Sequence, residues 1–576
     1  MIRHALLSVI LTLTVAITAA PTLAAPSTAA SDTLDTRMQE VVVTGTRSEK
    51  LLAETPVRTQ LISHDDIQSF QARSLADAVE FTPGLRVLNS CQNCNFTTLS
   101  MLGLEGKYSQ ILYDGQAIFS SLALVYGLEQ IPARLIERVE VIKGGGSSLY
   151  GPGAVGGVVN IIPHEPLVSA TSASVSLEDM DGVSNYSVSF NADVVSEDGL
   201  TAATIYGQGD HVTPYDRDGD GFSEIGRRQS SAFGLRALRE LGAGSSLTFD
   251  YSRVFEDRRG GDNIDMPPFD SAIAEWIRTW RNTAGLTWSQ SWSATLNTRA
   301  SVSYANTDRN TYYGGGGDTE AYGITENPMV VADVQINHYV GVHAVTWGVQ
   351  HSRDHIEDGH PGYDRVTDET FENSGVFLQD DWHIAEPLVV VAGVRADKHS
   401  ALTDVVVSPR LAVRYDLAHD VTLRGSYAGG FLAPQIFDED LHIAVAGGEA
   451  QVIRNAGDLK EESSRSYTIG LEATPALGGG YGRFELNVFR TDLTDAFAIT
   501  DAFDDVGTPE TELLRRNAGD ACVQGVEAAV CWMNEAFELQ LGWIFQTGVY
   551  DDPQDFGETG FFRLPGNYGV LQARHS

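Results

Sequence analysis

At 576 residues the chain is too long for one ordinary soluble core, so it holds several domains or one very large barrel. Its 77 acidic residues against 39 basic ones leave a formal charge of -38, which excludes the basic footprint that nucleic-acid phosphates demand. Hydrophobic residues make up 42 %. Beyond the N-terminus no apolar run reaches roughly 18 residues, so a second membrane-spanning helix is excluded as well.

The chain opens with Arg3 and His4, an apolar run from Ala5 to Ala20, and small residues around Thr22-Leu-Ala24-Ala25. A charged start, a short apolar centre and a small-x-small end describe a secretory signal peptide over 1–25; the competing reading is a membrane anchor. Export implies an oxidising compartment, in which cysteines can pair. Residues 26–50 read as a flexible leader, rich in Ala, Ser, Thr and Asp, that carries one β-branched segment, Glu40-Val41-Val42-Val43-Thr44-Gly45-Thr46-Arg47.

From residue 51 to 166 the pattern is that of a small α/β domain. Ser74-Leu-Ala-Asp77 is a capping box that opens a short helix with Leu75 and Val79 on one face. Ile111-Leu-Tyr followed by Asp114-Gly115 signals a hairpin turn. Pro132 suits the first turn of a helix before a strand over 138–142. Gly151-Pro-Gly153-Ala-Val-Gly156 fits the dinucleotide spacing G-x-G-x-x-G. That reading is rejected, because the next segment of the chain, Val158-Val-Asn-Ile-Ile162, is a strand by composition and not a helix.

Residues 167–576 alternate with a period of two. Tyr186, Val188, Phe190, Ala192 and Val194 interleave with Ser187, Ser189, Asn191 and Asp193, and Phe484, Leu486 and Val488 with Arg483, Glu485 and Asn487. One greasy and one polar face suit a transmembrane barrel with lipid outside and a wet lumen inside. A soluble sandwich alternates too. Connection lengths decide between them: short links such as 196–199, 242–245 and 418–420 alternate with long polar excursions over 211–228, 256–275, 307–330, 352–370, 431–461 and 493–518. That asymmetry belongs to outer-membrane barrels.

One stretch is more specific than any pattern. Ile136-Glu-Arg-Val-Glu-Val-Ile-Lys-Gly-Gly-Gly-Ser-Ser-Leu-Tyr-Gly151, running on to Gly156-Gly-Val-Val-Asn-Ile-Ile162, resembles the end of the plug domain of TonB-dependent outer-membrane receptors. Glu40 to Arg47 resembles the TonB box of the same family. The resemblance implies a mainly β fold: a large antiparallel transmembrane β-barrel with a small N-terminal α/β plug inside it. About 18 strands are counted here against about 22 in plugged transporters. Complete members usually end in an aromatic residue, whereas the last strand-like piece here, Tyr568 to His575, runs into Ser576; a barrel short of its last strands is expected. The implied activity is active import of a scarce nutrient, a ferric siderophore first and cobalamin second. The implied setting is the outer membrane of a Gram-negative-type bacterium after signal-peptide cleavage. The implied partners are TonB with its inner-membrane motor, outer-membrane lipid and a small metal chelate, bound by a monomer. A passive porin, needing neither box nor plug, is the rival of another class. Nothing in the sequence assembles a catalytic arrangement.

Within that frame, Glu137, Arg138 and Glu140 are expected to hold plug to wall. Cys91, Asn93, Cys94, Phe96 and Tyr108 on the plug, with Phe431, Gln435 and Phe437 on a long loop, are expected to face the ligand. Cys91 and Cys94 read as a local disulfide in preference to half a zinc site. Cys522 and Cys531, on one strand roughly 30 Å apart when extended, should not pair. Asp216, Asp218, Asp220 and Glu224 match the first half of a calcium loop, but Arg227 stands where an EF-hand wants Glu. Calcium held with help from another loop, as in cobalamin receptors of the family, stands beside a merely solvated acidic loop. No other cofactor is called for. His351, His355 and His360, with Asp354 and Asp358, read as solvated loop residues, with zinc, copper or haem as the alternative.

Overall fold

In a membrane every backbone polar group needs a partner inside the protein, and a closed run of antiparallel strands supplies one. The computed structural model describes residues 10–11, 40–91, 96–124, 126–363, 365–441, 444–446, 449–501, 512–553 and 557–575. Among these residues its main sheet has 20 strands in sequence order, from Ile10–Leu11 through Ala170–Met180 to Asn567–His575. Two of these are two-residue pieces, Ile10–Leu11 on the edge and Ala476–Leu477 continuing Glu462–Ala473. The remaining strands are the expected spans. Tyr186, Val188, Phe190 and Val194 are exposed on the outer face, while Asn185, Ser187, Ser189 and Asn191 are buried inside. Phe484, Leu486 and Val488 repeat that outward exposure near the other end.

Several expected loops are strands. Ser245–Gly261, Ala274–Ser293, Leu296–Gly314, Tyr322–Val340, His343–His360 and Arg365–Ala385 run up to 21 residues, where about 10 suffice to cross lipid. The excursions at 256–275, 307–330 and 352–370 therefore shrink to short connections over 262–273, 315–321 and 361–364. Above the lipid both faces of a hairpin are polar, so the alternation fades while the backbone pairing continues. His351, His355 and His360 thus lie on a strand and not in a loop. The loops over 431–461 and 493–518 hold a small sheet of their own, in the order Ala444–Ala446, Glu449–Asn455, Glu512–Asn517 and Phe497–Asp501.

Inside the large sheet sits the plug. Four strands order as Thr59–Ser63, Ile136–Lys143, Gly157–Pro163 and Ser109–Tyr113. One face packs Ile62, Leu75, Val79, Val139, Val141 and Ile161 together, and the other packs Leu112, Ile142 and Val158 against Val391 and Ala412 of the wall. The Ser74–Asp77 capping box is present and opens Leu75–Val79. Asp114 and Gly115 take positive φ, 50° and 78°, and make the expected turn. It closes only a single Tyr113–Gln116 bridge, because the strand before it pairs in parallel with Gly157–Pro163. The glycines of 151–156 follow the short helix Ser147–Tyr150 and lead into a strand, the reverse of a nucleotide-binding order.

The plug reaches the wall around its whole girth, and at the two ends of the strand order it reaches both. Arg574 of the last strand donates to Asp66 at 2.9 Å, and Arg73 donates to Glu178 of Ala170–Met180 at 3.2 Å. Tight packing of plug backbone has a clear test at Gly157, whose φ is 144° and where a Cβ would lie 2.2 Å from the Ile142 carbonyl oxygen. Gly157→Ala is expected to destabilise the plug by about 2 kcal/mol through overpacking. Protease cleavage within residues 51–166 should then rise with far-UV CD of the barrel unchanged.

Candidate functional site

The segment from Glu40 to Arg47 is not a free strand. Val41–Val42 pairs with Lys50–Leu51, Val41 staying exposed, and residues 44–47 fold into a buried turn between plug and wall. Its polar groups are taken up one after another. Glu140, fully buried on the plug strand Ile136–Lys143, accepts at Oε2 from the Val43 amide at 2.9 Å, the Thr44 amide at 2.8 Å and the Thr44 hydroxyl at 2.6 Å. Tyr150 donates to the Thr44 carbonyl at 2.9 Å, and Asn160 to Thr44 Oγ1 at 2.9 Å. From the wall, Arg410 donates to the Gly45 carbonyl at 3.1 Å, Gln379 to that of Thr46 at 3.1 Å, and Gln335 to that of Arg47 at 2.5 Å.

Arg47 ends the turn. Its guanidinium is sandwiched between the rings of Tyr150 and Phe377, at 4.7 and 4.5 Å, and donates to Asp333 at 2.9 Å. Both side chains of that pair are buried, so removing one partner strands a charge and costs about 3–5 kcal/mol. Lys50 adds a second wall contact, to Asp381. The extended segment expected from sequence is thus a bridge of plug to barrel, because the buried carboxylate and the wall amides replace its water.

Of the residues expected to hold plug to wall, none has its ionic partner there among the described residues. Glu140 holds the bridge. Arg138 donates to Glu140 Oε1 at 2.9 Å, and Glu137 accepts from His164 at 2.7 Å at the plug's own exit. The wall contacts are made by residues that sequence reasoning missed. Arg58 pairs with Glu485 and Glu527, both at 2.7 Å, and Lys143 with Glu527 at 2.8 Å. On the opposite sector the signs reverse: Glu129 faces Arg228 and Arg258, and Asp114 faces Arg236 at 3.2 Å and Arg299 at 3.0 Å. Burial pushes the Glu129 carboxyl up, but the two guanidiniums outweigh it and leave it at about 2. The available signal was a carboxylate on the inward face of an alternating strand, as at Glu485.

At the long-loop rim the expected ligand residues are dispersed. Tyr108 is buried and donates to Glu462 at 3.0 Å, beside the Phe497 amide, which donates to the same carboxylate at 2.8 Å. Phe437 is buried in the plug's core cluster with Tyr108 and Phe497, and Arg515 lies over its ring at 4.5 Å. Phe431 is buried in another cluster with Leu402 and Ala433. Both aromatics therefore pack in the floor and do not line an open vestibule. The Gln435 carbonyl accepts from Asn455 at 3.2 Å. Cys91 and Phe96 face each other across the plug hairpin Leu85–Cys91 and Phe96–Met101, whereas Asn93 and Cys94 lie outside the described residues. Cys522 and Cys531 both lie on the strand Ala521–Met533 and are not paired with each other. Asp216, Asp218 and Glu224 bring ligand atoms within 4.8 Å of one another; Asp220 instead caps the Phe222 amide at 2.8 Å.

A plug wrapped by a long antiparallel sheet and tied to it by a buried N-terminal turn now stands beside known sequences. Residues 52–158 match the TonB-dependent receptor plug domain, and 190–575 match the TonB-dependent receptor-like β-barrel. The chain belongs to the TonB-dependent receptor family. It is 26 % identical to a vitamin B12 transporter of Vibrio vulnificus, over 76 % of this chain and 68 % of that protein. It is 24 % identical to an iron-regulated outer membrane virulence protein of Vibrio cholerae, over 88 % of this chain and 78 % of that one. A solved ferric enterobactin receptor of Pseudomonas aeruginosa superposes with a TM-score of 0.71 at 17 % identity, covering 86 % of this chain and 85 % of that one.

The receptor's plug exit offers a pH test. The hydrogen bond to Glu137 raises His164 above its ordinary 6.5, and the same bond lowers Glu137 below its ordinary 4.5. His164 also lies 3.6 Å from Asp193 of the wall. The imidazole's contribution is full below 6.5 and is lost as pH rises through its folded pKa. The carboxylate's is present above 4.5 and is lost as pH falls through its own. Amide exchange over 164–169, corrected for intrinsic rates, should be slowest between those values and speed up on the alkaline side. Glu137→Gln should weaken that dependence and leave the smaller part due to Asp193.

Proposed function

We propose that this receptor is an active transporter of the outer membrane that imports a ferric siderophore, energised through TonB, after its signal peptide is removed. The observation that carries the reading is the buried turn at 43–47. A passive pore has no use for a segment held at both ends, by Glu140 and by Asp333, with an exposed strand, Val41–Val42, leading into it. In the docked state the turn bridges plug and wall. A partner strand adding to the exposed edge at Val41 can draw the segment out, since main-chain pairing supplies affinity without needing a pocket. Pulling then acts on Ile136–Lys143 through Glu140, at the centre of the plug sheet, and on the wall through Arg47. The ties on the Arg58 and Glu129 sectors hold the remaining plug in place while one side shifts.

Support for the cargo comes from relatives. The iron-regulated protein of Vibrio cholerae and the enterobactin-bound receptor of Pseudomonas aeruginosa speak for a ferric chelate. The vitamin B12 transporter of Vibrio vulnificus speaks for cobalamin, the second reading. The convergence of Asp216, Asp218 and Glu224 favours that second reading, with calcium ordering an external loop.

Expressed in a host lacking its own iron receptors, the full chain should take up an iron-55-labelled siderophore, and an uncoupler should stop it. Deleting residues 40–47 should abolish that uptake. Uptake that survives the deletion contradicts active transport and favours a pore. In the cobalamin arm, labelled cobalamin should bind more tightly in millimolar calcium, and Asp216→Asn should remove the gain; binding indifferent to calcium removes the metal from the account.

A further inference from the structure

The hairpin of His343–His360 and Arg365–Ala385 carries a side-chain cluster away from both the docked turn and the floor of the long-loop rim. His355, Glu357 and Asp368 each place one ligand atom within 4.8 Å of the others. Register explains the convergence. His355 and Glu357 are two apart and share a face, and Asp368 stands directly opposite Glu357 on the neighbouring strand. That face is the outer one, because Trp347 and Val349, of the same parity on the strand, are exposed on the barrel's outside.

The imidazole is already oriented. His355 Nδ1 lies 3.1 Å from the Glu369 carbonyl oxygen and 2.9 Å from the Thr370 hydroxyl. A carbonyl can only accept, so Nδ1 carries a hydrogen, and Nε2 is turned to Glu357 Oε1, 3.1 Å away. A proton on Nε2 would satisfy that one contact, whereas a divalent ion placed there engages His355, Glu357 and Asp368 together. One ring N–H fixed on a carbonyl with the other nitrogen turned outward is the arrangement that positions metal-binding histidines.

The surroundings add to this demand. Glu357 is also directly opposite Glu326, and Glu326 directly opposite Asp308. Four carboxylates thus occupy one cross-strand row over four strands, and like charges facing each other destabilise a sheet. Arg353, two residues before His355 on the same face, lies 3.6 Å from Glu372 instead.

We propose that His355, Glu357 and Asp368 form a binding site for a divalent first-row transition ion of the zinc type, which staples the hairpin beyond the lipid. An imidazole nitrogen with two carboxylate oxygens, water completing the set, suits zinc. Calcium and magnesium prefer oxygen alone, so the imidazole sets the preference. The His360 ring plays no part: it is buried against Thr311 at 2.8 Å and Arg365 at 3.0 Å.

The test uses the full chain in detergent, purified through a tag without histidines and titrated with zinc chloride against a fluorescent chelator. One tight zinc per chain is expected. Its affinity should fall by about tenfold or more in His355→Ala and in Asp368→Asn, the range found when a ligand set is disturbed. Asp216→Asn, in the loop that carries Asp218 and Glu224, should leave it unchanged, and a large excess of calcium should not displace it. All the substituted groups are on the surface, so far-UV CD should not change. Equal zinc binding by wild type and His355→Ala, no tight zinc at all, or displacement by equimolar calcium overturns the proposal.

Discussion

One buried carboxylate organises the working end of this receptor. Glu140 lies on the second strand of the plug sheet, shut off from solvent, and its charge is matched by two amides, a hydroxyl and the Arg138 guanidinium. Hydrogen bonds to a charged acceptor are worth about 1.5–3 kcal/mol each, more than neutral ones. Losing the turn leaves that charge in a poorly solvated place, so docking is held by the cost of uncovering Glu140 as much as by the contacts themselves. Against it stands Arg47, a non-glycine residue at a φ of 55°, a conformation that persists only where its surroundings enforce it. The segment is held at both ends, at Glu140 and at Asp333, and the second tie is made by a residue in a strained backbone conformation.

The rest of the interface fixes how the plug sits in rotation. Toward the last strands the plug is cationic, with Arg58 and Lys143 facing Glu485 and Glu527. Toward the early strands it is anionic, with Asp114 and Glu129 facing Arg236, Arg299, Arg228 and Arg258. Turning the plug would bring like charges together on both sides. A protein with a formal charge of -38 thus places many of its scarce cations in its lumen, where they set register.

How much of this was legible depends on the range of each interaction. The barrel was readable because lipid imposes a period of two on neighbouring residues such as Tyr186 to Val194. The hairpin extensions over 307–330 and 352–370 were not, because beyond lipid that asymmetry ends. The capping box at Ser74 is local and was legible; the turn at Asp114-Gly115 was too, though not the parallel partner of its strand. The segment at 40–47 stood out by its β-branched residues, yet its burial depends on Glu140, Asp333 and Arg410, 96 to 365 residues away. Glu140 itself was singled out, but a charge in a strand does not say which way its partner lies. Phe431 and Phe437 show the same limit: an aromatic in a long loop can line a cavity or fill it.

Glu140 holds the N-terminal turn in its docked position. A nitroxide attached at position 41, where Val41 is 44 % exposed and tolerant of a label, reports that state directly through its electron paramagnetic resonance line shape. In the otherwise native receptor the spectrum should show slow, restricted motion. Glu140→Gln should convert a large fraction of it to the narrow lines of a mobile chain. An identical restricted spectrum in both proteins would contradict the account.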